Sequence, residues 1–253
     1  MKINVVPSTN CVPDSQREKY VAEPGFGKYF TDHMVVAEWN QSSGWSDATV
    51  KAYGPLNLDP AAMVFHYGQE IFEGMKAYSQ SDGSIALFRP EANGLRFAKS
   101  AARITLPELP VDDFVAAVKA LVVQDSGWVP RKIGESLYIR PFMIATEVGL
   151  GVRPSNKALF AIIATPAAAY FNAAKAVTVW ISTEYVRAAL GGTGEAKCGG
   201  NYAASLLAQQ QAAKEGCDQV VWLDAKERRW VEEMGGMNLY FVRGSGKDAT
   251  IFT

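Results

Sequence analysis

Cysteines are scarce in this sequence. Its 253 residues include Cys11, Cys198 and Cys217, and no Cys-x-x-Cys pair occurs. An odd number of separated cysteines argues against a disulfide framework and against a structural zinc site. We therefore expect reduced thiols, as in a cytoplasmic protein, and no bound metal.

An excess of charge and long apolar runs are also missing. The formal net charge is −1, with no long run of one sign, whereas binding to nucleic acid or a membrane surface needs a strong positive field. No segment reaches the roughly 18 apolar residues that span a bilayer, and residues 1–20 lack the basic start and apolar core of a signal peptide. We expect a cytoplasmic protein with small-molecule partners, without nucleic acid or membrane partners.

The remaining composition is typical of a folded chain. Apolar residues make up 48% and charged residues 20%, and this length fits one large domain or two of ordinary size. Apolar residues recur at helical spacing in 91–102 and 112–123, while "ESLYIRPFMIATE" and "ALFAIIATP" have the composition of strands. Asp82-Gly83, before "IALFRP", predicts a hairpin. Residues 1–55 are interpreted as loops and short strands, and the run beginning "AAMVF" as a strand end.

An alanine-rich segment, "AAAYFNAAKA", predicts a domain boundary near 170–175. Beyond it come a strand "VTVWIS", a glycine loop, a helix over 201–215, and the strands "QVVWLD", "WVEE" and "MNLYFV". Strands covered by helices occur on both sides of the boundary. The fold class is therefore predicted to be α+β, with two domains.

The glycine loop "GGTGEAKCGGNYAASL", residues 191–206, carries Lys197. It matches neither a Walker A loop, which needs Ser or Thr after its lysine, nor the GxGxxG fingerprint of dinucleotide-binding proteins. One interpretation is a solvated surface lysine, because a lysine charge is rarely buried. The other is chemical, because a nucleophilic lysine amine forms a Schiff base with carbonyl compounds, above all pyridoxal phosphate.

That cofactor makes further demands on a protein. It needs a group near its phenolic oxygen, a carboxylate at its ring nitrogen, and cations or N–H groups at its phosphate. Tyr202 can supply the first, and Glu232 or Glu233 the second. Adjacent carboxylates at a strand end are also typical of a solvated turn, so the residues alone leave both interpretations open.

Several long strings, taken in order, resemble the branched-chain amino-acid aminotransferases, a family of fold-type IV pyridoxal-phosphate enzymes. They are "FHYGQEIFEGMKAY", "LFRPEANGLRFAKSAARITLP", "LYIRPFMIATEVGLGV", "TPAAAYF", "AKCGGNYAASLLAQQQAAKEGCDQVVWLD" and "VEEMGGMNLYF". The resemblance covers nearly the whole chain from about residue 25. It implies a D-amino-acid aminotransferase-like fold with a small N-terminal α+β domain (1–170), a linker (171–175) and the start of a large cofactor-binding domain (176–253). Because relatives continue further, it also implies that the large domain is C-terminally incomplete.

The resemblance implies a role for each cofactor residue, with pyridoxal 5′-phosphate as the cofactor. Lys197 is the catalytic residue that forms the Schiff base and then moves the substrate Cα proton. The other implied cofactor contacts are Tyr202 at the phenolic oxygen, Glu233 at the ring nitrogen, Arg96 at the phosphate, Gly236 through its backbone N–H, and Arg187 nearby.

The resemblance also implies a substrate pocket. Tyr67, Phe72, Tyr138 and Tyr170 would hold an aliphatic side chain, Arg140 the second carboxylate of glutamate, and Leu150 and Val152 would reach the opposite subunit of a homodimer. The implied reaction is transamination of leucine, isoleucine or valine with 2-oxoglutarate, giving branched 2-oxo acids and glutamate. The alternatives are D-amino-acid aminotransferase or aminodeoxychorismate lyase activity, or a truncated non-catalytic interaction protein.

Overall fold

Two compact units make up the structure, a computed structural model that describes residues 1–168 and 176–253. The first unit comprises Met1–Asn172 together with Ala196–Gly199, and the second comprises Ala173–Glu195 together with Gly200–Thr253. Within the described residues, no helix is both long and apolar enough to cross a membrane. The predicted linker, 171–175, lies outside the described residues, so the proposed domain limits stay a prediction.

The first unit is built on one mixed sheet. Its strands are β1 (Ile3–Val5), β2 (His33–Asn40), β3 (Gly44–Trp45), β4 (Ala48–Ala52), β5 (Glu70–Phe72), β6 (Met75–Ser79), β7 (Ile85–Leu87), β8 (Ser136–Ala145) and β9 (Lys157–Ala167). Its helices are α1 (Asp14–Ala22), α2 (Met63–Tyr67), α3 (Pro90–Arg103), α4 (Val111–Gln124) and a 3-10 turn (Ser126–Trp128). The strand order is β1-β4-β2-β9-β8-β6-β7, with β3 beside β2 and β5 beside β8.

The core of this unit lies between the sheet and the two longest helices. Strands β8 and β9 pair antiparallel from Ser136↔Ala167 to Ala145↔Ala158. Phe97 of α3 and Phe114 of α4 are buried against Phe160 of β9, with ring centroids 5.6 and 6.2 Å from it. Fully burying one such side chain stabilises a fold by about 1.5–3 kcal/mol. The helical and strand patterns predicted for these segments are confirmed.

The second unit contains a smaller sheet. Its strands are β10 (Val179–Ser182), β11 (Gln219–Leu223) and β12 (Val231–Met234), followed by a separate hairpin of β13 (Phe241–Arg243) and β14 (Thr250–Phe252). A short helix α5 (Gly199–Ala203) begins where the first unit's last segment ends, and α6 (Leu206–Lys214) and a 3-10 turn (Gly246–Asp248) follow. Ala208 and Ala212 of α6 pack with Val220 and Trp222 of β11.

Four local predictions were wrong. Residues 1–55 contain a helix, α1, which has no buried residue and therefore lacks an apolar stripe to reveal it. The segment "MVFHY", predicted as part of a strand end, forms α2, a single helical turn closed by Gly68 in the left-handed conformation (φ 58°). The helix predicted over 201–215 is divided between α5 and α6, and "MNLYFV" contributes only its last residues to β13. The hairpin at Asp82-Gly83 is confirmed as β6–β7.

Candidate active site

The backbone of Lys197 is fixed by two elements of the first unit. The N–H of Lys197 donates to the Ser100 hydroxyl of α3 at 2.9 Å, and the N–H of Phe72 in β5 donates to the Lys197 carbonyl at 3.0 Å. Cys198 forms an antiparallel bridge with Ile71 of β5 and is buried. The segment around the lysine thus pairs with β5, although the two are far apart in sequence.

The side chain of Lys197 lies beside an aromatic ring. Its Nζ is 4.9 Å from the ring centroid of Phe72, a distance at which a cation and an aromatic face attract each other. Ala196 and Cys198, on either side of it, are both 4% exposed and join the core. Because adjacent residues of an extended segment alternate in direction, the lysine side chain points away from that core.

Gly199 allows an acidic side chain to approach the lysine segment. A Cβ added to Gly199 would lie 1.6 Å from Oε1 of Glu70, so a larger residue there requires the Glu70 carboxylate to move. Partial burial raises the pKa of the Glu70 carboxyl, while the positive charge of Arg140 opposes this. Sequence reasoning missed Glu70, and an acidic residue within an otherwise apolar strand is the signal that could have revealed it.

Three of the predicted substrate residues are brought together on one side of β5 and β8. The guanidinium carbon of Arg140 lies 4.6 Å from the Phe72 ring centroid and 5.4 Å from that of Tyr138. Arg140 Nη2 donates to the Tyr138 hydroxyl at 2.9 Å. Its Nε is buried and has no hydrogen-bond partner within residues 1–168 and 176–253. A buried donor without a partner is costly, so this site is suited to an anionic ligand.

A loop after β8 holds the two residues predicted for a homodimer contact. The Tyr67 hydroxyl donates to the Leu150 carbonyl, and the N–H of Gly149 donates to the Ala61 carbonyl at 2.9 Å. Leu150 and Val152 are 66% and 85% exposed. Tyr67 therefore lies at the base of this loop, with its hydroxyl already engaged.

The same loop is closed at its ends by an ion pair. Arg153 donates to both carboxylate oxygens of Glu147, at 3.0 and 2.5 Å, and the N–H of Asn156 donates to Glu147 at 2.7 Å. The Arg153 guanidinium holds the pKa of the Glu147 carboxyl below its usual range. These bonds hold the loop in a defined conformation, in which the apolar side chains of Leu150 and Val152 are exposed.

Arg96 of α3 forms an ion pair with a buried carboxylate. Its Nε and Nη2 donate to the two carboxylate oxygens of Glu73, at 2.6 and 2.9 Å. Glu73 is completely buried, whereas the Arg96 side chain is half-exposed. Sequence reasoning gave Glu73 no role.

In the second unit, Arg187 lies against Glu233. The Arg187 Nε is 2.6 Å from Glu233 Oε2, in an ion pair that is not aligned as a hydrogen bond, and Arg187 Nη1 donates to the Gly194 carbonyl at 3.3 Å. Glu232, its neighbour on β12, is exposed. Of the two adjacent carboxylates, the structure therefore gives a charged partner to Glu233, the one that the resemblance implied.

The remaining predicted cofactor residues lie in the short helix α5 and in a turn. Tyr202 of α5 is 38% exposed, and the preceding Asn201 is bonded to Thr193 through both its amide nitrogen and its oxygen, at 2.8 and 2.7 Å. Gly236 lies within a tight turn after β12, where Gly235 has a φ of 42°. Tyr170 lies outside the described residues, so its predicted role stays untested.

Comparison with known proteins agrees with this chemistry. Residues 70–250 match the family described as amino-transferase class IV. The chain is 61% identical to a probable branched-chain-amino-acid aminotransferase of Streptomyces coelicolor over 96% of its own length and 68% of that protein's. It is 60% identical to the branched-chain-amino-acid aminotransferase of Mycolicibacterium smegmatis over 100% of its own length and 69% of the relative's. The chain belongs to the class IV aminotransferase family.

Solved structures show the same fold. A T.th. branched-chain amino acid aminotransferase with pyridoxamine 5′-phosphate superposes with a TM-score of 0.65 at 27% identity, over 85% of this chain and 66% of the other. The same enzyme complexed with N-(5′-phosphopyridoxyl)-L-glutamate gives a TM-score of 0.64 at 27% identity, over 85% and 65%. The chain thus spans about two thirds of the length of these proteins.

These similarities confirm several predictions. The family, the α+β fold of fold-type IV and the enzymatic nature of the protein are as the sequence implied. Pyridoxal 5′-phosphate is confirmed as the cofactor of the family. The roles of individual residues stay predictions, which the contacts described above make testable.

Replacing Ser100 by alanine tests how the Lys197 backbone is held. The Ser100 side chain is buried, and its loss leaves the Lys197 N–H without its acceptor, which costs about 1–3 kcal/mol. We expect a lower free energy of unfolding in urea and slower transamination. Ser81→Ala, at an exposed turn, should change neither, and equal effects of the two substitutions would contradict this role.

Proposed function

We propose that this protein transfers the amino group of leucine, isoleucine or valine to 2-oxoglutarate with pyridoxal 5′-phosphate, yielding branched 2-oxo acids and glutamate. The observation that carries the proposal is the cluster of Lys197, Phe72, Tyr138 and Arg140, which places an amine, two aromatic rings and an incompletely bonded guanidinium together in the first unit. The relatives at 60–61% identity bear the branched-chain aminotransferase name, which favours this chemistry over D-amino-acid transfer, aminodeoxychorismate lysis or a non-catalytic role.

Each unit contains groups of the types that the cofactor requires. The first unit offers the Lys197 amine and the half-exposed Arg96 guanidinium, and the second offers the Tyr202 phenol, the Glu233 carboxylate and the turn at Gly236. These are the group types that an aldehyde, a phosphate, a phenolic oxygen and a ring nitrogen require. When bound, the cofactor supplies an aldehyde carbon for the amino group and a ring that accepts electrons.

Each protein group then has a defined task. Lys197 moves the proton at the substrate Cα, because its amine is a base on a flexible stem that can reach the reacting carbon. Glu233 would hold the ring nitrogen, and Arg187 forms an ion pair with the same carboxylate. Arg96 and the backbone at Gly236 bind the phosphate, and Tyr202 contacts the phenolic oxygen.

The substrate-binding groups explain how one site serves two kinds of amino acid. The Phe72 ring offers an apolar surface to a branched side chain, with Tyr67 and Tyr170 as further proposed lining residues. Arg140 receives the second carboxylate of glutamate or 2-oxoglutarate, because a guanidinium with a buried N–H lacking a partner gains a charge-assisted hydrogen bond there. Tyr138 holds that guanidinium in place through its hydroxyl.

Arg140→Gln tests whether Arg140 binds the second carboxylate of glutamate and 2-oxoglutarate. Loss of a hydrogen bond to a charged group costs about 1.5–3 kcal/mol, so we expect the KM for glutamate and 2-oxoglutarate to rise about 10-fold to 100-fold. The KM for leucine should change much less, because its side chain has no carboxylate. The two half-reactions are measured separately in a stopped-flow spectrophotometer. Arg131→Gln, at an exposed position, serves as the control, and an equal loss for both substrates would refute the assignment.

We further propose a homodimer in which the loop around Leu150 and Val152 completes the partner's site. The exposure of both side chains on a loop held in shape by Glu147 and Arg153 supports this. Sedimentation equilibrium of the wild type and of Val152→Asp tests it, since a buried aspartate at an apolar interface should shift the population toward monomer. The cytoplasmic location stays a prediction from cysteine usage.

A further inference from the structure

Glu73 is a fully buried carboxylate whose burial needs an explanation. It lies directly after β5, and its relative exposure is 0%. Burying an isolated carboxylate costs many kcal/mol unless it is paired and hydrogen-bonded. An acidic side chain in the interior of the first unit must therefore be bound by specific donors.

Those donors are present. Oε1 accepts from Arg96 Nε at 2.6 Å, and Oε2 accepts from Arg96 Nη2 at 2.9 Å, from Asn93 Nδ2 at 2.8 Å and from the Gly74 N–H at 3.2 Å. The Glu73 N–H donates to the Pro141 carbonyl at 2.8 Å, which fixes the backbone below the carboxylate. Glu73 is thus fixed through both its backbone and its side chain.

The partner, Arg96, is held in a defined orientation. Bonding through Nε and Nη2 is the bidentate geometry that fixes the plane of a guanidinium as well as its position. The Arg96 side chain is 52% exposed, and an arginine so exposed ordinarily loses much rotamer entropy when a ligand immobilises it. Glu73 has already removed that freedom in the folded protein.

The same two elements that hold Arg96 also hold the Lys197 backbone. Ser100, which accepts from the Lys197 N–H, lies four residues after Arg96 and hence on the same face of α3. Phe72, which donates to the Lys197 carbonyl, directly precedes Glu73. The positions of the guanidinium and of the lysine backbone are therefore set by one assembly within the first unit.

We propose that Glu73 is a positioning residue that orients Arg96 toward the phosphate of the cofactor. The inference rests on the proposed function, in which Arg96 binds that phosphate. Pyridoxal 5′-phosphate is a small ligand whose aldehyde carbon and phosphate lie a short, nearly constant distance apart. A guanidinium fixed relative to the lysine backbone binds such a ligand with little loss of entropy.

The test compares two ligands in the full chain freed of cofactor. Pyridoxal 5′-phosphate and pyridoxal differ only in the phosphate, so the ratio of their dissociation constants, measured by absorbance titration, reports on the phosphate site alone. We expect Glu73→Gln to weaken pyridoxal 5′-phosphate binding about 10-fold to 100-fold, as for a disrupted charge-assisted bond, and to leave pyridoxal binding unchanged. Glu91→Gln, an exposed carboxylate in the first turn of α3, is the matched control and should leave the ratio at its wild-type value.

The Arg96→Ala variant distinguishes the role of Glu73 from the proposed phosphate-binding role of Arg96. In an Arg96→Ala background, which itself should lose phosphate discrimination, Glu73→Gln should have no further effect on the ratio. If Arg96→Ala leaves discrimination intact, the proposed phosphate role of Arg96 fails and this inference fails with it. If Arg96→Ala loses discrimination but Glu73→Gln keeps it, the role of Glu73 alone is overturned.

Arg96→Lys covers the case in which Glu73→Gln does not fold. Lysine keeps the positive charge at this half-exposed position but cannot bond to Glu73 through two parallel N–H groups. We expect it to lose phosphate discrimination about 10-fold while its circular dichroism spectrum stays that of the wild type. A ligand ratio equal to that of the wild type would show that the bidentate pair is unnecessary and would overturn the proposal.

Discussion

Replacing Lys197 by alanine is expected to abolish transamination. The amine at this position is the group that we propose to carry the substrate proton, and positioned proton transfer contributes up to about 10⁴-fold to rates of this kind. Its backbone contacts with Ser100 and Phe72 use only main-chain atoms of residue 197, so alanine should preserve them. The variant should therefore fold normally while losing its chemistry.

Two measurements check this outcome. The rate of glutamate formation from leucine and 2-oxoglutarate should fall about 10⁴-fold, and borohydride reduction should no longer leave cofactor attached to the peptide that contains residue 197, as read by mass spectrometry. Lys214→Ala, at an exposed lysine in the last turn of α6, should retain both. A Lys197→Ala protein that still transaminates at about a tenth of the normal rate would contradict this role, because the loss of a proton-transfer group should lower the rate much further.

Adding a single methyl group at Gly199 is expected to have the second largest effect. A Cβ there would lie 1.6 Å from Glu70 Oε1 and 2.7 Å from its Cδ. Either Glu70 must leave its position or the segment carrying Lys197 must move. Overpacking of this kind typically costs about 1–3 kcal/mol, and we expect Gly199→Ala to lower both the free energy of unfolding and the rate of transamination.

The neighbouring glycine provides a matched control. A Cβ on Gly200 would meet no atom of the described residues within 4 Å, and both glycines belong to α5. The helix propensity gained by alanine is similar in the two variants, so the difference between their unfolding free energies isolates the clash. Gly199→Ala combined with Glu70→Ala should recover part of the loss, because the two sites are in contact and not additive. Equal free energies of unfolding for Gly199→Ala and Gly200→Ala would show that the Glu70 side chain can move away without a cost in stability.

Apart from the β6–β7 hairpin, which its turn residues predicted, the parts of the fold that sequence predicted are those with a regular apolar pattern. Strands β8 and β9 and helices α3 and α4 bury residues at the spacing that their secondary structure dictates. Helix α1 was missed because none of its residues is buried, and α2 because a five-residue helix is too short to display a period. These elements are defined by local backbone hydrogen bonds and not by a buried face.

The candidate site divides in a similar way. Lys197, Tyr202 and Glu233 were proposed from the sequence because their chemistry meets recognisable needs of one cofactor, and the resemblance decided between adjacent glutamates. Glu73 and Ser100 were not predicted, since their partners, Arg96 and Lys197, lie 23 and 97 residues away in sequence. Short motifs carry no signal for such pairs, which exist only once the chain has folded.

The return of residues 196–199 to the first unit has a consequence for biosynthesis. Ile71, Phe72 and Ser100 are translated long before the segment that pairs with them. While the intervening chain is being made, the open edge of β5 has unpaired main-chain groups, a state that favours association with other nascent chains. The lysine is therefore added to a scaffold that is otherwise already translated, and the emerging polypeptide gains Lys197 and the closure of this edge in the same late step.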